Sequence, residues 1–169
     1  MISSATKFLS LQKRLFMDRK KKTGRYGRIY KQLEELTSRP GTPLSRIATI
    51  AAVLHHKMDY FFWTGFYLLE DHRLIVGPYQ GPVACQELEQ GKGVCWAAVE
   101  RDTAVVVPDV TRFPGHIACD SRSQSEITLP VRDKNGACRA VLDVDSGDRD
   151  QFDEIDEQYL SSIVKLIYI

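Results

Sequence analysis

An α+β domain of two layers, an antiparallel sheet with helices gathered mainly on one face, is the fold class this sequence predicts. Two helical stretches open the chain, and strand-like segments joined by turns and loops fill most of the rest. A final helix closes it. Strands linked by turns pair antiparallel, because parallel pairing needs a long crossover. At 169 residues the chain has the size of one domain and can bury its own core.

The elements follow in order. Tyr26, Ile29, Tyr30, Leu33 and Leu36 recur near period 3.6 and predict a helix over 26–37. Ser38-Arg39-Pro40-Gly41 stops it. Thr42 is placed to cap a second helix, with Pro43 in its first turn and a stripe of Leu44, Ile47, Ile50, Ala51 and Leu54, ending near Met58. Phe61–Leu69 and Leu74–Gln80 are aromatic and β-branched, and Asp71-His72-Arg73 turns between them. Gly81-Pro82 interrupts, and Val83–Leu88 reads as a further strand. A short helix follows near 94–101, then a strand over Val105–Val107 that Pro108 ends. Residues 108–124 have no period and form a long loop, the kind of segment that often carries function. Ile127–Arg132 and Arg139–Val144 are strands joined around Asn135-Gly136, a pair favoured in type I′ hairpin turns. Asp153 begins the last helix, with Ile155, Tyr159, Ile163 and Leu166 on one face.

Composition narrows the function classes. Hydrophobic residues are 43% and charged residues 27%, ordinary for a soluble globule. No apolar run is long enough to span a membrane. Four cysteines, with no signal-peptide core ahead of them, argue against a secreted disulfide scaffold and for a reducing compartment. The cytoplasm is the expected location. Ten of the 23 lysines and arginines, and one of the 22 acids, fall in residues 1–31, so this segment carries +9 and the remainder −8. Residues 1–22 are read as a basic N-terminal extension, either a frayed, disordered terminus or an acid-poor, serine-containing targeting segment that would make the location organellar. Residues 23–169 form the single domain. No aromatic-interleaved reader motif accompanies the charge, so no nucleic-acid partner is expected.

Cys85, Cys95 and Cys119 lie within 35 positions of one another. Cys119 sits in the long loop beside His116 and Asp120. Cys95 lies near a helix N-terminus, where a thiolate is favoured. A nucleophilic thiol with partner thiols in reach is what disulfide-forming redox chemistry needs. Cys138, on a strand, reads as a packed thiol. Cys85, Cys95, Cys119 and His116 also offer four metal donors, but no Cys-x-x-Cys pair exists and no metal is expected. Asp143 and Asp145, two apart on a strand, share a face. With Glu126 they would hold a proton or a cation if that face is closed. Trp63 and Tyr67 share a face too, and aromatics so placed pack a core or clasp a sulfur or ammonium group.

The segments Trp63-Thr-Gly-Phe-Tyr67, Gly77-Pro-Tyr-Gln-Gly81, Val83-Ala-Cys85, Gly91-Lys-Gly-Val-Cys95, Pro108-Asp-Val110, Gly115-His-Ile-Ala-Cys-Asp120, Ser125-Glu-Ile127 and Val141-Leu-Asp-Val-Asp-Ser146 resemble the free methionine-(R)-sulfoxide reductases, a family of stand-alone GAF domains. The resemblance runs from Tyr26 to Lys165. It implies a GAF-like, six-stranded antiparallel sheet, no bound cofactor, and reduction of free L-methionine-(R)-sulfoxide to methionine. It implies Cys119 as nucleophile, and Cys85 and Cys95 as resolving thiols on a segment covering the site, without saying which acts first. By the same resemblance Trp63 and Tyr67 line the pocket, and Glu126, Asp143 and Asp145 hold the substrate's polar groups. A thioredoxin-type dithiol is the implied donor, and a homodimer the implied assembly. Trp96 departs from the family pattern, which has a small residue there, so an altered packing of the covering loop is expected. The alternative reading is a GAF module that binds a small ligand or senses redox state without turnover.

Overall fold

The computed structural model describes residues 4–117 and 119–169, with side chains from residue 19 onward. Its elements are α1 (Ser4–Thr37), α2 (Pro43–Lys57), β1 (Trp63–Glu70), β2 (Arg73–Gln80), β3 (Glu87–Leu88), α3 (Gly93–Arg101), β4 (Val105–Val107), β5 (Ser125–Arg132), β6 (Cys138–Ser146) and α4 (Glu154–Val164). A 3-10 turn spans Val110–Arg112. The sheet has six antiparallel strands in the order β3-β2-β1-β6-β5-β4.

The period-two alternation of the central strands creates two different faces. Phe66, Ile127, Leu129, Val131, Ala140, Leu142 and Val144 point to one side and meet Ile47, Ile50, Leu54, Leu160 and Ile163 of α2 and α4 in the main core. Helix α1 lies over α2 and α4 and adds Tyr26, Ile29 and Leu33. The opposite face carries Trp63, Tyr67, Leu74, Val105, Val107 and Val141, and among the described helices α3 packs on it. The helices are therefore mainly, not wholly, on one face. That asymmetry leaves room beside α3 for a site.

Local chemistry explains the boundaries. Thr42 caps α2: its hydroxyl accepts from the Ser45 amide at 3.2 Å, and Ser45 Oγ accepts from the Thr42 amide at 3.0 Å. Asp71 and His72 both take positive φ, 47° and 61°, and Glu70 faces Arg73, so the type I′ geometry occurs in this hairpin. At Asn135-Gly136 only the glycine has positive φ. The Asp133 carboxylate there accepts from the amides of Asn135 and Ala137 at 2.9 and 3.1 Å, which holds a longer turn between Arg132 and Cys138. Val83–Leu88 shrinks to the two residues of β3. Gly81-Pro82 breaks the ladder, and Val83 is 80% exposed.

Helix α1 starts at Ser4 rather than at residue 26, so the boundary drawn at residue 22 falls inside a helix. Residues 1–3 and the side chains of residues 4–18 lie outside the described residues. Arg19 and Lys22 reach α4: Arg19 pairs with Glu154 at 3.2 Å, and Lys22 with Asp153 at 2.9 Å and with Asp156. Asp156 is fully buried and also accepts from the hydroxyls of Tyr26 and Tyr60 at 2.7 and 2.6 Å and from the Asp153 amide at 2.8 Å. One carboxylate thus joins α1, the α2–β1 connection and the α4 cap. Removing it strands two hydroxyls in the interior and leaves Lys22 with Asp153 alone. Asp156→Ala is expected to lower unfolding stability by about 3 kcal/mol, and Tyr26→Phe by about half as much, read as shifts in the denaturant midpoint.

Candidate active site

Strand register assembles the site. On the face under α3, Trp63 stands opposite Asp145, Asp145 opposite Glu126, and Glu126 opposite Val107. The next row runs Gly65, Asp143, Thr128, Val105. Three carboxyl side chains from β5 and β6 therefore sit side by side. Gly65 has no side chain, and a Cβ there would lie 2.3 Å from Tyr79 Cβ and 2.5 Å from the Trp63 ring. The Trp63 indole folds over this gap, stacked on Tyr79 and Tyr67 with ring centroids 5.3 and 5.9 Å away.

Helix α3 closes the far side. Its first turn is pinned to β5 by Thr128 Oγ1, which donates to the Val94 carbonyl at 3.2 Å. This brings the buried Cys95 sulfur against Glu126 and Asp143, with one donor atom from each of the three residues lying within 4.8 Å of the others. Trp96, one residue on, is buried, and its indole nitrogen donates to the Leu88 carbonyl at 3.4 Å.

The roof is made of two loops. Residues 81–86 form a strap held at one end by Trp63 Nε1, which donates to the Pro82 carbonyl at 3.1 Å. At the other end the Val76 amide donates to the Gln86 carbonyl at 3.0 Å. Cys85 hangs between these anchors. It is joined to Cys119 of the long loop by a disulfide with Cα atoms 5.5 Å apart, a separation ordinary for such a bond. Cys119 is exposed and Cys85 half-buried. Trp63, Tyr67, Cys95, Cys119, His116, Glu126, Asp143 and Asp145 line one cavity of about 40 Å³.

The electrostatics follow from burial. Glu126 and Asp143 are 5% and 7% exposed, and among the described residues neither forms an ion pair with lysine or arginine. Burial and the neighbouring acids raise both carboxyls well above the ordinary range. Asp143 Oδ1 has no hydrogen-bond partner. Asp145, half-buried at the rim, is pushed up to about 6 by burial, against opposing effects of a hydrogen bond with Ser123 and the nearby His116. His116 Nε2 lies 3.4 Å from Glu126 Oε2, and burial lowers its pKa, so the imidazole is neutral near pH 7. Burial, then Asp143, Glu126 and Asp145, raises the Cys95 thiol strongly. The thiolate expected at this helix start is absent because three acids outweigh the first turn of α3. At the rim, Asp120 is held at about 2 by the Arg122 guanidinium.

A model of the GAF domain family matches residues 46–169. A free methionine-R-sulfoxide reductase from Escherichia coli is 41% identical over 143 residues, which are 85% of this chain and 86% of that protein. This chain belongs to the free methionine-R-sulfoxide reductase family of GAF domains. It is also 44% identical over 147 residues, 86% of this chain and 92% of the relative, to GAF domain-containing protein A from Dictyostelium discoideum. Among solved structures it is similar to the free methionine-R-sulfoxide reductase from Neisseria meningitidis in complex with its substrate, with a TM-score of 0.80 and 40% identity over 84% of this chain and 85% of that one.

In this family member all eight residues singled out from the sequence come to one place, seven on the cavity wall and Cys85 in its disulfide roof. One of them differs from its expected setting. Cys95 is not on the covering segment but in the floor with the acids, whereas Cys85 is on the strap. Ala118 of the Gly115–Asp120 motif lies outside the described residues. Three contributors were missed: His116 as the neighbour of Glu126, Ser123 as the partner of Asp145, and Tyr79 as the outer stack on Trp63. Tyr79 stood in a quoted motif, but its contact depends on the gap above Gly65, which no periodicity reveals.

Because the folded state holds Asp145's proton more tightly than the unfolded chain, whose carboxyl titrates near 3.8, folding stability falls as pH rises from about 4 to 6 and stays lower above. Asp145→Asn is expected to remove this decline and to raise stability at pH 7 by on the order of 2 kcal/mol, with no gain below pH about 4. Denaturant midpoints of both proteins across this range check it.

Proposed function

We propose that this protein reduces free L-methionine-(R)-sulfoxide to L-methionine. The observation that carries the reading is the Cys85–Cys119 disulfide, closed over a cavity whose floor is Glu126, Asp143 and Asp145. The named activity of the Escherichia coli relative, and the substrate-bound Neisseria structure, support it.

The chemistry suits these groups. A sulfoxide sulfur resists attack until its oxygen is protonated or strongly hydrogen-bonded. A carboxylic acid kept neutral by burial among other acids can do this near neutral pH. The Cys119 thiolate attacks the sulfur, the oxygen with its proton passes to the cysteine, and methionine leaves with two more electrons than it brought. Cys119 is then a sulfenic acid. The Cys85 thiol condenses with it, releasing water and forming the disulfide. An external dithiol of thioredoxin type attacks this bond and restores both thiols, and the exposure of Cys119 suits that exchange. The carboxylates' remaining capacity would take the substrate ammonium group, and the Trp63–Tyr67 wall its thioether arm. The assembly we propose is a homodimer.

Cys85 is the better resolving thiol of the two. It is bonded to Cys119 in this structure, while burial, then the neighbouring acids, hold Cys95 in its thiol form. The cavity of about 40 Å³ suits a few waters at roughly 10–15 Å³ each, not an amino acid. Substrate therefore binds after the strap is released by reduction. Trp96 ties α3 to β3, next to the strap's end, and so bears on how far the strap opens.

Reductant consumption is expected with the R epimer of free methionine sulfoxide and not with the S epimer; binding without consumption would instead make the protein a ligand-binding module. In single turnover Cys119→Ser should release no methionine. Cys85→Ser should release about one per chain and then recycle slowly. Trp96→Gly should change the recycling rate with little effect on the first methionine released; unchanged steady-state kinetics at saturating reductant would refute that role.

A further inference from the structure

The floor of the cavity holds more donor chemistry than sulfoxide reduction needs. Cys95, Glu126 and Asp143 converge from α3, β5 and β6, with one donor atom from each within 4.8 Å of the others, and all three are buried. Asp143 Oδ1 is buried without a partner. The His116 imidazole approaches Glu126 at 3.4 Å and adds a fourth donor. Lys92, the cation on the cavity wall, is turned to Glu89 at 2.6 Å and does not neutralise the acids. Sequence spacing had grouped Cys95 and His116 with the other cysteines as possible ligands; the fold groups them with two carboxylates instead.

We infer that this cluster is a binding site for a thiophilic divalent cation, with Zn²⁺ the best fit, which occupies the cavity when Cys85 and Cys119 are disulfide-bonded. One sulfur, one imidazole nitrogen and two carboxylate oxygens are the mixed donors of a four-coordinate zinc site, whereas Mg²⁺ and Ca²⁺ favour oxygen throughout. The Cys95, Glu126 and Asp143 donors, within 4.8 Å of one another, and His116, 3.4 Å from Glu126, would close in to zinc bonds of about 2.0–2.3 Å. A cavity of about 40 Å³ admits an ion where it does not admit an amino acid. On binding, the Cys95 S–H bond and the O–H bonds of the protonated Glu126 and Asp143 carboxyls break, their protons leave to solvent, and zinc–sulfur and zinc–oxygen bonds form with no electron transfer. The ion would occupy the acids that the proposed substrate uses, and so would block the site.

The test uses the oxidised protein, in which Cys95 is the free thiol on the cavity wall and Cys138 lies on the first residue of β6. Co²⁺ is titrated as a spectroscopic stand-in. One ion per chain is expected, with a thiolate-to-cobalt band in the near ultraviolet that an equivalent of Zn²⁺ abolishes. Cys95→Ser should lose the band and Cys138→Ser should keep it. Asp143→Asn and Glu126→Gln, which leave the thiol in place, should weaken binding by at least the roughly 10- to 100-fold that losing an outer-shell partner costs. No band, or a band surviving in Cys95→Ser, overturns the site. If Cys95→Ser fails to fold, unaltered Co²⁺ affinity in both carboxyl variants overturns it instead. Activity is scored separately. Turnover of the R epimer without a cobalt band sinks the metal site alone, and a cobalt band without turnover sinks the reductase reading alone.

Discussion

Three carboxyl groups held together out of water are the constraint on which the rest of this structure depends. Glu126, Asp143 and Asp145 are fixed side by side by strand register, and register cannot slip by one residue without turning every side chain to the opposite face. Such a slip would drive the three acids into the main core and bring Ile127, Leu142 and Val144 out of it. The apolar face is thus what holds the polar face in place. Burying acids without a compensating cation costs stability unless they keep protons. Burial raises all three, Asp145 to about 6 and Glu126 and Asp143 well above the ordinary range, and the main core with α1, α2 and α4 offsets what remains of the penalty.

The same field sorts the thiols. Cys95 lies within it and is held as a neutral thiol. Cys119 and Cys85 lie above it on loops, one exposed and one half-buried, where a sulfur can lose its proton and be reached by a partner. Helix position alone would have favoured Cys95, since it begins α3. The comparison is between one turn of peptide dipoles and burial among acids, and burial prevails. Chemistry that needs a thiolate and chemistry that needs a protonated acid are separated in this way across the depth of one small cavity.

How much of this was legible in the sequence varied with the range of the interaction. Thr42 with Pro43, Asp153, and the alternation of Asp143 and Asp145 are local signals, and each element they predict is present. The six-stranded sheet is implied by a resemblance rather than by periodicity, and the structure has it. Local signals failed where a distant partner decides. Asn135-Gly136 looks like a type I′ pair, yet the Asp133 side chain reorganises that turn. Val83–Leu88 has strand composition, yet its backbone is interrupted and Cys85 is bonded to a loop 34 residues away. The helix read as starting at Tyr26 begins at Ser4; residues 18–25 hold no apolar side chain, and that gap hides the continuity from a reading of periodicity. For residues 19–22, the described contacts that support the helix are ion pairs to α4. At the site, the resemblance implies which groups belong together but not their depth, and it sets Cys95 with the cover where the fold sets it with the acids.

Depth also orders the events a cavity of this kind permits. With the strap tied to Cys119 the space below, about 40 Å³, is too small for an amino acid, so in the proposed mechanism the oxidised protein does not hold substrate against its acids. Reduction frees Cys85, and with it the stretch of chain between its anchors at Pro82 and Gln86. Those anchors do not depend on the disulfide: one is the Trp63 indole and the other a backbone hydrogen bond to β2. The strap therefore stays near the cavity when released, and Cys85 returns to Cys119 over a short distance with a high effective concentration. A resolving thiol placed on the rigid floor would lack that freedom, and one on a long free loop would lack the proximity. The tether between two fixed points supplies both, and it is the wall of the substrate pocket, through Trp63, that provides one of them.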